Sequence, residues 1–233
     1  MFDLKKVPLP DYTRKEDIIN CLTHVPGAVF FAVATVPLVR MQLAHNQHGI
    51  QIFGALLYMM TTMIVFLGSA IYHGMKPSYA KRVARVVDHS NIYLMISGSI
   101  TSMIISNYEI LGSHHPGILL SVIWVCTVIG IVLTFMDLKR FNAPQIVMYV
   151  LMGWTSMFGM REIYRSSDMG RKFAVMILVA GAIITAGSVV YFVGKKVRYC
   201  HAVFHVAVLT GAVIIYAATY WYHNLAYQVT IGL

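Results

Sequence analysis

The sequence predicts an all-α integral membrane protein: one bundle of seven transmembrane helices, N-terminus cytoplasmic and C-terminus outside. Three observations predict it: a shortage of charge, a series of uncharged apolar runs, and a one-sided distribution of basic residues. Of 233 residues, 58% are hydrophobic and only 12% charged, with a mean hydropathy of +0.68. A soluble domain carries about 25% charged residues, so this chain lacks the polar surface to cover a water-soluble globule. That excludes a soluble enzyme, a disordered tail protein and a nucleic-acid-binding domain. The net charge of +9 needs no nucleic acid partner, because basic residues flanking membrane spans account for it.

A span needs roughly 20 apolar residues, and seven runs qualify: Ile18–Val39, Ile50–His73, Val87–Tyr108, Pro116–Met136, Ala143–Met160, Phe173–Val193 and Tyr199–Tyr227. Residues 1–17 form a short cytoplasmic segment, and the whole chain, 1–233, is one domain. No cleavable signal peptide is expected, since the first apolar run is not followed by a small-residue cleavage site. Pro26 and Pro37 in the first run and Pro144 in the fifth are tolerable because neighbouring helices can satisfy the freed backbone groups. Cys21, Cys126 and Cys200 all fall in or beside apolar runs and do not read as a disulfide framework.

Orientation follows from the short loops. With the N-terminus inside, thirteen basic residues are cytoplasmic: Lys5, Lys6, Arg14, Lys15, Lys76, Lys81, Arg82, Arg85, Lys139, Arg140, Lys195, Lys196 and Arg198. Five are outside: Arg40, Arg161, Arg165, Arg171 and Lys172. Tyr79–Val87, with Lys81, Arg82 and Arg85 on one side and Val83, Val86 and Val87 on another, is expected to lie along the interface before turning into the third span. The chain is therefore expected in the cell membrane (plasma or inner) as a multi-pass protein.

Polar residues at membrane depth are costly and therefore informative. On this topology Glu16, Asn20 and His24, Ser69 and His73, Asp88, and His201 with His205 all fall at the cytoplasmic ends of their helices. His201 and His205 are four apart, one turn up the same face and about 6 Å along the axis. Two imidazoles so spaced can close on one metal ion, although His-Ala-Val-Phe-His lacks the glutamate of a metalloprotease motif. His73 can supply a third, and three histidines with an open position is the stoichiometry of a catalytic zinc site. Asp88 can then act as general base and Ser69 as a hydrogen-bond donor to an oxyanion. Each residue alone has an ordinary explanation: helix packing for the histidines and Ser69, pairing with Arg85 for Asp88, the helix dipole for Glu16. Their convergence at one depth has none. His45, His48, His114, His115 and His223 fall on the outer side and are expected to face water or headgroups. His89 points about 100° from Asp88 and stands outside the cluster.

Glu16-x3-Asn20-x3-His24, Ser69-x3-His73 followed by Asp88, and His201-x3-His205, supported by NCLTH, DHSNIY, MGW and HAVFH, resemble the motifs of a known family. The chain resembles the hemolysin III group of the progestin and adipoQ receptor family, relatives of the adiponectin receptors. The resemblance implies a seven-helix bundle with an intracellular Zn2+ held by His73, His201 and His205, with Asp88 contacting it through water and Ser69 nearby. It also implies kinship with membrane hydrolases of ceramidase type. The leading expectation is a zinc-dependent hydrolase of a lipid amide or ester, with membrane lipids as partners and a lipid-like substrate. Glu16, Asn20 and His24 are expected to orient ligands from behind. A receptor with a structural zinc and a pore-forming cytolysin are the alternatives. The spans contain no lysine, which excludes a retinal Schiff base, and no chain of buried carboxylates for a proton pump.

Overall fold

Four of the helices begin where the sequence supplies a cap or a proline. In the computed structural model, which describes residues 7–45, 47, 49–112, 115–194 and 197–230, Thr13 opens α1 (Arg14–Ala44) with a capping box: its hydroxyl accepts from the Glu16 N–H while the Glu16 carboxylate accepts from the Thr13 N–H. The helix runs through Pro26 and Pro37. After α2 (Gly49–Gly74), Ser78 caps α3 (Tyr79–Ser106) by accepting from the Lys81 N–H. A single turn, α4 (Tyr108–Leu111), follows, and Pro116 in the first turn starts α5 (Pro116–Trp154).

α5 holds the expected fourth and fifth spans as two limbs, 116–136 and 138–154. Between them Asp137 has extended backbone angles, φ −161° and ψ 90°, and its carboxylate caps the second limb by accepting from the Arg140 N–H at 2.9 Å. A 3₁₀ turn (Thr155–Met157) and α6 (Met160–Ser166) precede α7 (Asp168–Val193), capped by Ser167, and α8 (Cys200–Thr230) is the last helix of the described residues. No strand occurs among the described residues. Cys21, Cys126 and Cys200 are all free thiols.

Among the described residues, five helical segments are long and apolar enough to cross a bilayer: Arg14–Ala44, Gly49–Gly74, the 51-residue Pro116–Ser166, Asp168–Val193 and Cys200–Asn224. α3 matches them in length, at 28 residues, but carries Lys81, Arg82, Arg85 and Asp88 in its first third. Their outward faces are apolar and uncovered: Val29, Val33 and Val36 on α1, Val125, Val128 and Val132 on α5. Exposed apolar bands of this extent belong against lipid. The protein is a multi-pass membrane protein.

α1 packs on α2 and α8, α2 on α3, α3 on α5, α5 on α7 and α7 on α8, closing a ring. One apolar cluster joins α1, α2 and α8 through Phe31, Leu38, Tyr58, Phe66 and Val208. A second joins α3, α5, α6, α7 and α8 through Tyr93, Ile104, Ile123, Ile163, Phe173 and Tyr222. Helices approach closely at Gly130, where a Cβ would lie 2.3 Å from the Tyr93 ring.

Two expectations are corrected. Tyr79–Val87 does not turn into the third span: α3 is one uninterrupted helix from Tyr79, and Lys81 is buried against α1, not spread on a surface. His223 does not face water or headgroups but is buried among the helices. His115 is exposed, whereas Lys5, Lys6, Lys195, Lys196, His48 and His114 lie outside the described residues.

Candidate metal centre

The last turn of α2 and the first two turns of α8 bring three imidazoles to one point. The Nε2 of His201 lies 3.2 Å from Nε2 of His73 and 2.9 Å from Nε2 of His205. One ligand atom from each of the three falls within 4.8 Å of the others. Nitrogens sharing a tetrahedral ion at about 2.0–2.1 Å stand roughly 3.3 Å apart, close to both measured contacts. The three histidines can hold a metal ion.

Their far sides fix which way the lone pairs point. Nδ1 of His73 faces the Asp17 carboxylate at 3.1 Å, an acceptor-only group, so it carries the proton and leaves the Nε2 lone pair aimed inward. Nδ1 of His205 faces the Asn20 carbonyl oxygen at 3.3 Å and the Thr23 hydroxyl at 3.1 Å. That hydroxyl already donates to the Asn20 carbonyl, so here too Nδ1 is the donor and Nε2 the lone pair. The third ring nitrogen, Nε2 of His201, can donate to at most one of these two lone pairs; a cation satisfies all three nitrogens at once. Imidazoles oriented by carboxylate and carbonyl acceptors are the usual support of a metal site.

Asp17 is a residue the sequence reading missed. Its second oxygen accepts from the Lys81 ammonium at 2.5 Å, which also donates to the Met75 carbonyl. Asp17, Lys81 and His73 form a buried relay from α1 to α3 and α2. Glu16, in contrast, turns back on Thr13 to cap α1 and reaches the backbone N–H of Tyr199 ahead of α8. Asn20 supports His205 through its backbone, and its side-chain amide nitrogen has no partner. His24 packs its ring 3.9 Å from that of His205.

Asp88 and Ser69 meet across the α2–α3 interface, the Ser69 hydroxyl donating to the Asp88 carboxylate. Both are buried. The Arg85 guanidinium is turned instead to the Pro8 carbonyl. Asp88, Ser69, His201 and His205 line one end of a cavity of about 170 Å³ that reaches Phe173 and Thr219. Thr219 is fourteen residues beyond His205 on α8, about 21 Å along the axis. The wall between is almost wholly apolar, with Ile92, Met95, Ile177, Val208 and Ile215 among its residues. His89 also lines this cavity beside Asp88 but does not join the three-histidine group.

A strap before α1 closes the site from the other side. Val7 is buried against Val86 and Leu138, and its carbonyl accepts from Arg82. The strap ends at Tyr12, whose ring stacks on His201 at 5.5 Å. Burial raises the Tyr12 phenol well above its ordinary pKa, with Tyr191 and Tyr72 adding to the effect, so it stays protonated. Lone aromatic residues in a polar N-terminal segment give no sequence signal of such a role.

Comparison with known proteins agrees with the motifs. Residues 12–216 match the family described as haemolysin-III related. The chain belongs to this family. It is 26% identical over 211 residues to the Hemolysin-3 of Bacillus cereus, covering 89% of this chain and 92% of that protein. It is likewise 26% identical over 212 residues to the Hemolysin-3 homolog of Bacillus subtilis, covering 91% of this chain and 96% of that protein. The family match spans every histidine of the cluster, together with Asp17, Ser69 and Asp88.

Proposed function

We propose that this haemolysin-III-related protein is a zinc-dependent hydrolase that cleaves an amide or ester of a lipid drawn into the bundle from the membrane. One observation carries the reading: the three convergent imidazoles and Asp88 stand at the head of a long, apolar cavity. The neutral nitrogen donor set and its tetrahedral spacing suit zinc. A zinc ion held by His73, His201 and His205 supplies Lewis-acid polarisation of a carbonyl and a more acidic water. The chain's own residues do the rest. The apolar wall takes the hydrocarbon tail and excludes water. The Asp88 carboxylate accepts the proton of the attacking water, and Ser69 holds that carboxylate in place. Asp17, Asn20 and Thr23 keep the ring nitrogens of His73 and His205 in register.

The topology belonging to this reading has seven spans: α1, α2, α3, the two limbs of α5, α7 and α8. The N-terminus and the metal end are then cytoplasmic. Labelling of single cysteines at Asp137 and Gly112 by an impermeant thiol reagent tests the arrangement, which requires them on opposite sides.

Turnover of long-chain amides and esters by zinc-loaded protein in detergent or nanodiscs tests the chemistry, with Asp88→Asn as the control. Hydrolysis that appears with zinc and is lost in Asp88→Asn, at unchanged zinc content, supports the reading. Turnover indifferent to zinc or to Asp88 removes it. Stability that depends on zinc, with no turnover, favours the structural alternative, since the ion would tie α2 to α8. The relatives' name points to cytolysis, but this cavity's apolar wall differs from the polar lining of an aqueous pore. Dye release from liposomes at low protein density tests that alternative.

A further inference from the structure

Several groups in the cavity wall lack a partner, among them the Thr62 and Ser102 hydroxyls and one ring nitrogen each of His24 and His201. Gln145, on the second limb of α5, is the one carboxamide among these groups, unpaired at its donor and acceptor atoms alike. It is 1% exposed, it lines the cavity, and neither its Oε1 nor its Nε2 has a hydrogen-bond partner. A carboxamide offers two donors and an acceptor, and buried polar atoms in native proteins are nearly always paired. A wholly unpaired amide facing a ligand cavity is a binding group waiting for its ligand. Gln42 makes the contrast: it is equally buried and unpaired but does not border this cavity.

Its neighbours place Gln145 at the reacting end. One turn earlier, Asn142 hydrogen-bonds Tyr191, whose ring lies 5.1 Å from that of His201. One turn later, the Tyr149 hydroxyl donates to the His89 carbonyl at 2.7 Å, next to Asp88. Gln145 therefore sits between contacts to α7, beside His201, and to α3, beside Asp88, each about one helical turn away.

We propose that Gln145 is a specificity-determining residue of this cavity, pairing its carboxamide with a ligand group that both donates and accepts hydrogen bonds. A secondary amide makes both contacts; an ester accepts but cannot donate, and leaves Oε1 unpaired. The inference rests on the preceding reading only in seating a lipid chain in the cavity; it does not require turnover.

The experiment compares an N-methyl alkanamide with the methyl ester of the same fatty acid. Each competes against a fluorescent fatty-acid probe for the full-length, zinc-loaded protein in nanodiscs. Wild type is expected to bind the amide at least about tenfold more tightly. In Gln145→Met, close in volume and without hydrogen-bonding groups, the ratio is expected to fall to about one or below, the amide losing two hydrogen bonds and the ester one. Equal affinities in wild type, or a preference that survives Gln145→Met, overturn the proposal. Gln145→Leu provides the same comparison if the methionine variant does not fold. Because the readout is binding, hydrolysis that fails while the preference stands removes the hydrolase reading alone. A preference that fails while hydrolysis stands removes the role of Gln145 alone.

Discussion

Asp17 has two roles, and they can be separated. One carboxylate oxygen holds Nδ1 of His73 at 3.1 Å and the other holds the Lys81 ammonium at 2.5 Å, with the three side chains 8%, 0% and 4% exposed. Asp17→Leu leaves Lys81 the Met75 carbonyl and the face of the Tyr72 ring, neither of them an anion. Removing one member of a buried ion pair costs about 3–5 kcal/mol. The same change removes the acceptor behind a metal ligand, which weakens metal binding about 10–100-fold, or roughly 1.4–2.7 kcal/mol. Lys81→Met has the opposite profile: it strands the carboxylate and costs comparable stability, but His73 keeps its acceptor. Combining Asp17→Leu with Lys81→Met removes both charges and fills the space with apolar atoms, so stability returns to within about 2 kcal/mol of wild type. Zinc affinity does not return. The assay is thermal unfolding in detergent with and without chelator, alongside zinc competition. A 30-fold affinity loss appears as about 2 kcal/mol less zinc-dependent stabilisation at saturating metal. A double variant that binds zinc as tightly as wild type refutes the positioning role. Equal affinity losses in Lys81→Met and Asp17→Leu refute it too, since they would show that the intactness of the buried pair, and not the carboxylate on His73, sets the affinity.

Three further outcomes follow from the same geometry. Elemental analysis of purified protein should find about one zinc per chain in wild type and none in His201→Ala combined with His205→Ala, because a single remaining imidazole cannot hold the ion. Tyr12→Ala uncovers the stacked face of His201; an aromatic contact is worth about 0.5–1.5 kcal/mol, so a soluble chelator should extract zinc about 2–10-fold faster, followed by stopped-flow. Gly130→Ala drives a methyl to 2.3 Å from the buried Tyr93 ring and should destabilise the bundle by about 1–3 kcal/mol, read as a lower unfolding temperature with zinc affinity unchanged.

The helices and the histidine pair of α8 were legible in the sequence for the same reason: both are periodic. Apolar runs long enough to span a membrane mark themselves, and His201 with His205, four apart, must share a helix face. Where one helix ended and the next began was less so. The two limbs of α5 meet at the single extended residue Asp137, because its side chain supplies the cap that a longer loop would otherwise provide. Lys81 was misplaced because a lysine at a cytoplasmic helix end ordinarily faces water. Its burial depends on Asp17, 64 residues away, and no local pattern records that pairing.

The choice between Glu16 and Asp17 shows where sequence reasoning stops. Glu16, Asn20 and His24 recur every four residues and so share a face of α1, which made them the natural supporting group. Asp17 is one step, about 100°, around the helix, and that step decides the chemistry: Glu16 returns to Thr13, whereas Asp17 reaches His73 across the helix interface. α1 contributes none of the three clustered histidines, yet Asp17 sets the tautomer of His73 from α2, and Asn20 with Thr23 sets that of His205 from α8. Metal affinity is thereby coupled to the position of α1 in the bundle. A change far up that helix which alters its packing on α2, such as a Cβ at Gly27, 2.6 Å from the Phe66 ring, acts on the centre through these two hydrogen-bonded supports without touching a ligand.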